Sequence, residues 1–262
     1  MTAGFDRAGF RTFAPEEPVT RWVQSVLPAA LACVHDPDLR ARWLRAGGTW
    51  FVGVNALPND SAGRVPGGPA LSGAAMAFIR DRLELGALPL DKAQVSVVWP
   101  GYPRREAADT DASFRFRQTR DAAHVDGLQK QGGKRVVSEP QAWILGVALT
   151  DADAGAAPLV VWPGSHHIIR RHLLTALADQ PPSGWGNVDL TAPYQAARRE
   201  VFASCPRLEL PQKPGAAVVM HRLLLHGVSP WQDGARAPEQ GRMIAYFRPE
   251  RGEPVQDWLT RP

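Results

Sequence analysis

His124-Val125-Asp126-Gly127 is the stretch around which the rest of this 262-residue chain is organised. Strand side chains alternate with a period of two, so a His and an Asp two residues apart in extended backbone project to the same side. A single metal ion can then take an imidazole nitrogen and a carboxylate oxygen from one short piece of chain. By itself an H-x-D triplet is weak, because His124 also reads as an ordinary hydrogen-bonded histidine. Its weight comes from the segments downstream: a strand-like run from Ala142 to Leu149, then Pro158-Leu159-Val160-Val161-Trp162-Pro163-Gly164-Ser165-His166. Gly215-Ala216-Ala217-Val218-Val219-Met220-His221 leads next into Leu223-Leu224-Leu225-His226-Gly227-Val228-Ser229-Pro230, and Arg242-Met243-Ile244-Ala245-Tyr246-Phe247 closes the pattern.

His226 is the best placed second imidazole. Two histidines and one carboxylate, with the other positions open, make the facial triad of non-haem Fe(II) oxygenases. The succession of segments resembles the phytanoyl-CoA dioxygenase-like branch of the Fe(II)/2-oxoglutarate oxygenases, over roughly residues 94 to 250. The resemblance implies a mainly β fold with flanking helices, a double-stranded β-helix or jelly roll, whose mouth brings Asp126 and His226 together. It also implies Fe(II) held by His124, Asp126 and His226, with 2-oxoglutarate as cosubstrate and O2 as oxidant. Succinate and carbon dioxide would be released as a C–H bond of a small molecule is hydroxylated or otherwise oxidised.

Arg242 opens an apolar strand after the distal His and matches the family's anchor for the far carboxylate of 2-oxoglutarate. A guanidinium suits that task because its fork donates two parallel hydrogen bonds and keeps its charge at working pH. The family spacing is shorter than here, where the polar loop 232–241 intervenes, and this leaves Arg236 as a competitor. Related halogenases carry a small residue at the carboxylate position, so Asp126 favours hydroxylation or a related C–H oxidation.

His221 competes with His226, but it ends the preceding strand, whereas His226 precedes Gly-Val-Ser-Pro as in the family's distal motif. His166 and His167 come after a Pro-Gly-Ser turn and read as caps of a helix beginning near Ile168. His35 and His172 carry no role. The alternative function is a jelly-roll protein that binds metal or ligand without oxygenase activity. A nucleic-acid partner is not expected, because no stripe of basic residues interleaves with aromatics beyond Phe114 to Arg117.

Hydrophobic residues make up 44% of the chain and nine are Trp, enough to furnish a sizeable core and to argue against disorder. The two cysteines, Cys33 and Cys205, are too few for a disulfide framework and read as buried thiols in a reducing compartment. No run approaches the roughly 18 apolar residues needed to span a bilayer, and the N-terminus lacks an apolar signal core, so a cytoplasmic protein is expected. The net charge is +4, and eight basic against five acidic residues between Trp99 and Arg135 place much of that excess around the metal motif.

Apolar positions at helical spacing from Val19 to Val34 predict helix, kinked or divided at Pro28. A short helix comes after Pro37, and Gly47 to Pro69 reads as loop around a strand over Trp50 to Val54. Ser72 is the expected N-cap of a helix reaching Leu85. Gln94 to Trp99 alternates as a strand, and the alternation of Phe114 and Phe116 with Arg115 and Arg117 suggests another with one wet face. Helices are expected over Ile168 to Ala178 and Tyr194 to Ala203. With no repeat or linker, residues 1–262 read as one domain, with N-terminal helices at about 18–90 and the β core at about 94–250.

Overall fold

The computed structural model describes residues 3–83 and 88–261. The helices are α1 (Ala3–Ala8), α2 (Glu17–His35), α3 (Pro37–Trp43), α4 (Ala74–Arg82), α5 (Asp111–Thr119), α6 (Ser165–Leu177), α7 (Thr191–Ser204) and α8 (Val255–Thr260). The strands up to the metal motif and its hairpin are β1 (Phe10–Phe13), β2 (Leu44–Arg45), β3 (Trp50–Phe51), β4 (Gln94–Val98), β5 (Leu128–Gln131) and β6 (Lys134–Val137). Those after it are β7 (Ile144–Ala148), β8 (Leu159–Val161), β9 (Leu208–Leu210), β10 (Ala217–Met220), β11 (His226–Val228) and β12 (Arg242–Phe247).

A large antiparallel sheet runs β1-β10-β7-β12-β4-β3-β2 and a small one β11-β8-β9. Residue 124 adds to the free edge of the small sheet through a bridge to His226. Along the chain, β4 lies in the large sheet, residue 124 in the small, β7 in the large, β8 and β9 in the small, β10 in the large, β11 in the small and β12 in the large. This repeated crossing is the winding of a double-stranded β-helix, here two facing sheets not closed into a single barrel.

Side-chain periodicity explains the layers. Along β7, β10 and β12, Ile144, Val218, Met220, Ile244 and Tyr246 point inward and meet Leu159 and Val161 of the small sheet. Their neighbours Leu145, Val147, Ala217, Val219, Met243, Ala245 and Phe247 point the other way, into a core shared with Trp22, Val26 and Phe78 of α2 and α4. On the far side of the small sheet, Val160 and Leu225 pack on Ile169, Leu173, Tyr194 and Val201 of α6 and α7. Both faces of the central strands are covered, so β7 and β12 are buried at every position and read as unbroken apolar runs.

Several local expectations are corrected. Pro28 does not divide the first helix: α2 continues through it, because Trp22, Val23 and Val26 before it and Ala30, Cys33 and Val34 after it bury one common face. That burial outweighs the roughly 3 kcal/mol that an interior proline costs. The strand expected at Trp50 to Val54 is confined to Trp50–Phe51. Phe114 to Arg117 belong to a helix, α5, whose N-cap Thr110 accepts from Ser113 N–H at 3.1 Å. No residue of α5 is fully buried, and Phe116 alone of the alternating pair packs against the core, on Phe202, so there is no continuous strand face to serve.

Ser72 is not the cap of α4. Gly73 occupies the N-cap, and Glu16, from the start of α2, accepts the Ala74 N–H at 2.6 Å. The expected end of that helix, at Leu85, lies outside the described residues. Glu16→Ala is expected to lower stability by about 0.5–2 kcal/mol, as the loss of a cap does; an unchanged urea midpoint would show that the contact contributes nothing. The helix expected from Ile168 begins three residues earlier, so His166 and His167 lie in its first turn.

Candidate metal centre

The chain reaches the motif through two consecutive non-glycine residues in the left-handed region, Asp121 (φ 55°) and Ala122 (φ 51°). Asp121 is buried, and its carboxylate accepts from Arg207 Nε at 2.8 Å and Nη2 at 2.7 Å. Its carbonyl accepts from Val228 N–H at 2.8 Å, which fastens this strained turn to β11. A Cβ at Gly227 would strike that same carbonyl, so the position beside the distal His has room for glycine alone. Gly127 (φ 83°) turns the chain after Asp126, where a Cβ would lie 2.7 Å from the Glu139 carbonyl.

His124 and His226 then stand opposite each other. His124 N–H donates to His226 O at 2.8 Å and His226 N–H to His124 O at 3.0 Å. Directly opposed residues of an antiparallel pair present their side chains on one face, and here the ring centroids are 4.6 Å apart. Each ring is oriented by the carbonyl two residues before it, with His124 Nδ1 3.0 Å from Ala122 O and His226 Nδ1 2.9 Å from Leu224 O. A carbonyl only accepts, so each Nδ1 carries the hydrogen and each Nε2 is left with a lone pair.

Both Nε2 atoms converge on one carboxylate. His124 Nε2 is 3.4 Å from Asp126 Oδ1 and His226 Nε2 is 3.8 Å from Asp126 Oδ2. Ligand atoms of the three residues lie within 4.8 Å of one another, as a shared cation requires. Asp126 and His226 are enclosed, with side chains 12% and 8% exposed, while His124 is 42% exposed and opens the site to solvent.

The electrostatics prepare the set for a cation. Burial would raise the Asp126 carboxyl, but the Arg248 guanidinium and the two imidazoles outweigh it and hold the carboxyl far below the usual range. Burial, aided by His124, pushes His226 down to about 4, so that it is neutral at physiological pH. For His124 burial acts downward and the adjoining Asp126 acts upward more strongly, leaving a net upward shift.

Arg242 is brought to the same interior. It heads β12, with Ile244 and Tyr246 on its own face, and it is buried. Its Nε donates to Ala157 O at 2.9 Å and Nη2 reaches the same carbonyl, while Nη1 is buried without a partner. Burial lowers the Arg242 pKa, opposed by Tyr246 and Tyr102. The Tyr102 hydroxyl is likewise buried and without a partner, and its pKa is driven upward by burial, against the pull of Arg242. Two orphaned donors in one electrostatic neighbourhood fit a carboxylate entering the interior at that end.

Other expected residues are not gathered here. Arg236 is 88% exposed and pairs with Asp153 on the surface. His221 accepts from Leu223 N–H at its Nδ1 and packs against His166, outside the metal set. His166 and His167 both direct Nε2 to the Asp6 carbonyl, which ties α1 to α6. Much of the basic cluster is spent internally: Arg105 on Asp111, Arg117 on Asp109, and Arg120 over the Phe202 ring.

Arg248, one residue past β12, was not legible as part of the site, yet its Nη1 lies 3.4 Å from Asp126 Oδ2. The period of two gives the missing signal: 242, 244, 246 and 248 share a face, so the strand that begins with Arg242 leads to the candidate metal set. Tyr102, ahead of the turn-forming Pro103, offered no comparable pattern.

The fold is a jelly roll, and His124, Asp126 and His226 form a group in it that could hold a metal ion. Residues 119–234 match the model of the family Phytanoyl-CoA dioxygenase (PhyH). Solved structures similar to it include AviO1 from Streptomyces viridochromogenes Tue57, at 15% identity over 96% of this chain and 94% of that one, with a TM-score of 0.47. Another is the epimerase SnoN from nogalamycin biosynthesis, in complex with Fe3+, alpha ketoglutarate and nogalamycin RO, at 18% identity, 95% and 82% coverage and TM-score 0.46. EctD from S. alaskensis with 2-oxoglutarate and 5-hydroxyectoine shares 17% identity over 95% of this chain and 75% of that one, with TM-score 0.44. No curated protein matches the chain. No helix among the described residues is long and apolar enough to cross a membrane.

Proposed function

We propose that this chain is an Fe(II)- and 2-oxoglutarate-dependent dioxygenase that hydroxylates, or otherwise oxidises, a C–H bond of a small anionic molecule. The observation that carries this reading is the pair of imidazoles whose Nδ1 atoms are tied to carbonyls and whose Nε2 atoms converge on the Asp126 carboxylate. His124, Asp126 and His226 hold the iron. Arg242 and Tyr102 receive the far carboxylate of 2-oxoglutarate, which their unpartnered donors suit. When bound, iron and cosubstrate supply the oxidising chemistry, with oxygen consumed and succinate and carbon dioxide released.

The chain's own residues position and shield. The hydrogen bonds that each Nδ1 donates to a carbonyl fix the tautomer and raise the basicity of each imidazole. Asp126 supplies one negative charge against the cation. Ile144, Leu224, Ile244 and Tyr246 line the space between the sheets and exclude water from it. A single domain carries these parts, and the free thiols Cys33 and Cys205 accord with a cytoplasmic location.

Anaerobic titration with Fe(II) tests the reading. One equivalent is expected to bind, with 2-oxoglutarate then raising the melting temperature of the iron-loaded protein further; binding of neither would refute it. Tyr102→Phe is expected to raise the 2-oxoglutarate requirement about tenfold, as loss of one hydrogen bond to a charged group costs about 1.5 kcal/mol. A requirement equal to that of the unmodified protein would remove Tyr102 from the anchor.

A further inference from the structure

Arg248 is a cation beside the metal set that helps to keep Asp126 ionised and that the proposed reaction gives no further task. Its side chain is 14% exposed, and its Nη1 lies 3.4 Å from Asp126 Oδ2, while its Nε is buried without a partner. The backbone holds it there: Arg248 N–H donates to Asp91 Oδ1 at 2.8 Å, directly after β12 has delivered the inner-face residues Ile244 and Tyr246. Among the described residues the guanidinium contacts one carboxylate, Asp126, which is also the metal's carboxylate.

Charge decides what this arrangement is for. With iron in place the negative charge of Asp126 is committed to the cation, and the double charge of 2-oxoglutarate is divided between the metal and Arg242. Those charges sum to zero, and Arg248 remains as one positive charge beside them. Asp91 also feels the Arg248 charge, but its Oδ1 is engaged by the Arg248 amide and burial pushes its carboxyl up, which weakens it as a counter-charge. An enclosed guanidinium with an unused donor is well matched by a planar anion meeting its fork.

We propose that Arg248 binds a carboxylate of the primary substrate, so that the substrate class is small carboxylic acids and the C–H oxidised lies near that carboxylate in the skeleton. This rests on the oxygenase reading above and deepens it. Arg242 and Arg248 then divide the work along one face of β12, the first holding the cosubstrate deep between the sheets and the second holding the substrate beside the metal.

The test uses the whole chain loaded anaerobically with Fe(II) and 2-oxoglutarate, and the probes are acetate, butyrate, octanoate and benzoate beside the amide of each. The readout is the visible charge-transfer absorption of the iron-bound 2-oxoacid. At least one carboxylate is expected to shift this band while its amide does not. In Arg248→Gln the dissociation constant of that carboxylate should rise at least about tenfold, with Arg248→Lys intermediate, and with iron and 2-oxoglutarate saturating as before. The proposal is overturned if no carboxylate outperforms its amide in the native protein, or if Arg248→Gln binds the carboxylate unchanged. It is also overturned if Arg248→Gln loses iron or 2-oxoglutarate instead, since the guanidinium would then serve Asp126 or the cosubstrate. Failure of the native protein to form the band at all counts against the oxygenase reading itself, which keeps the two failures apart.

Discussion

Asp126→Ala is expected to abolish 2-oxoglutarate turnover and to weaken Fe(II) binding by well over the roughly 10–100-fold that loss of a mere supporting partner costs. The variant keeps two oriented imidazoles but removes the single negative charge of the site. It also leaves Arg248, 3.4 Å from the deleted oxygen, facing the cation with nothing between them. Asp126→Asn separates the two effects, because it preserves shape and lacks charge. Iron binding measured anaerobically should fall in both variants, and further in alanine. Retention of stoichiometric iron by Asp126→Ala would mean that the metal sits elsewhere.

Arg242→Ala is expected to raise the 2-oxoglutarate requirement at least about 30-fold, since truncating one partner of a buried charge pair costs about 2–5 kcal/mol and each 1.4 kcal/mol is a decade. Iron should still bind, because Arg242 is not one of the three residues that could hold it. The internal control is Arg236→Ala. Its guanidinium is 88% exposed and paired with Asp153, and its removal should leave the requirement unchanged. A rise with Arg236→Ala and none with Arg242→Ala would reverse the assignment.

The parts of this protein that were legible in its sequence are those where one local period controls one buried face. The apolar runs of β7 and β12, the H-x-D triplet and the position of His226 after three leucines all belong to that kind, and they led to the jelly roll and the candidate metal set. What escaped was governed by contacts distant in sequence. Glu16 caps a helix that starts at Ala74, a bond no local rule anticipates, and a serine two residues before the helix was the natural but mistaken choice. The α5 segment alternates like a strand, yet none of its residues is fully buried and only Phe116 packs against the core beside it, so the Thr110 cap starts a helix instead.

Arg248 was missed for a different reason: its partner lies 122 positions away, and only the facing of the large sheet, which holds β12, and the small sheet, to whose edge residue 124 adds, brings the two together. Asp121 is a related case, counted among the acids of a basic segment although it is the buried partner of Arg207 that fixes the approach to His124.

The central claim is that His124, Asp126 and His226 hold an iron that consumes 2-oxoglutarate, and the most direct test is succinate release by anaerobically iron-loaded protein exposed to oxygen and 2-oxoglutarate, beside His226→Ala. Succinate formed together with oxygen uptake, in the native protein and absent from the variant, is the result this account predicts. Equal succinate from both proteins, or none from either across the carboxylate probes that engage Arg248, would contradict it.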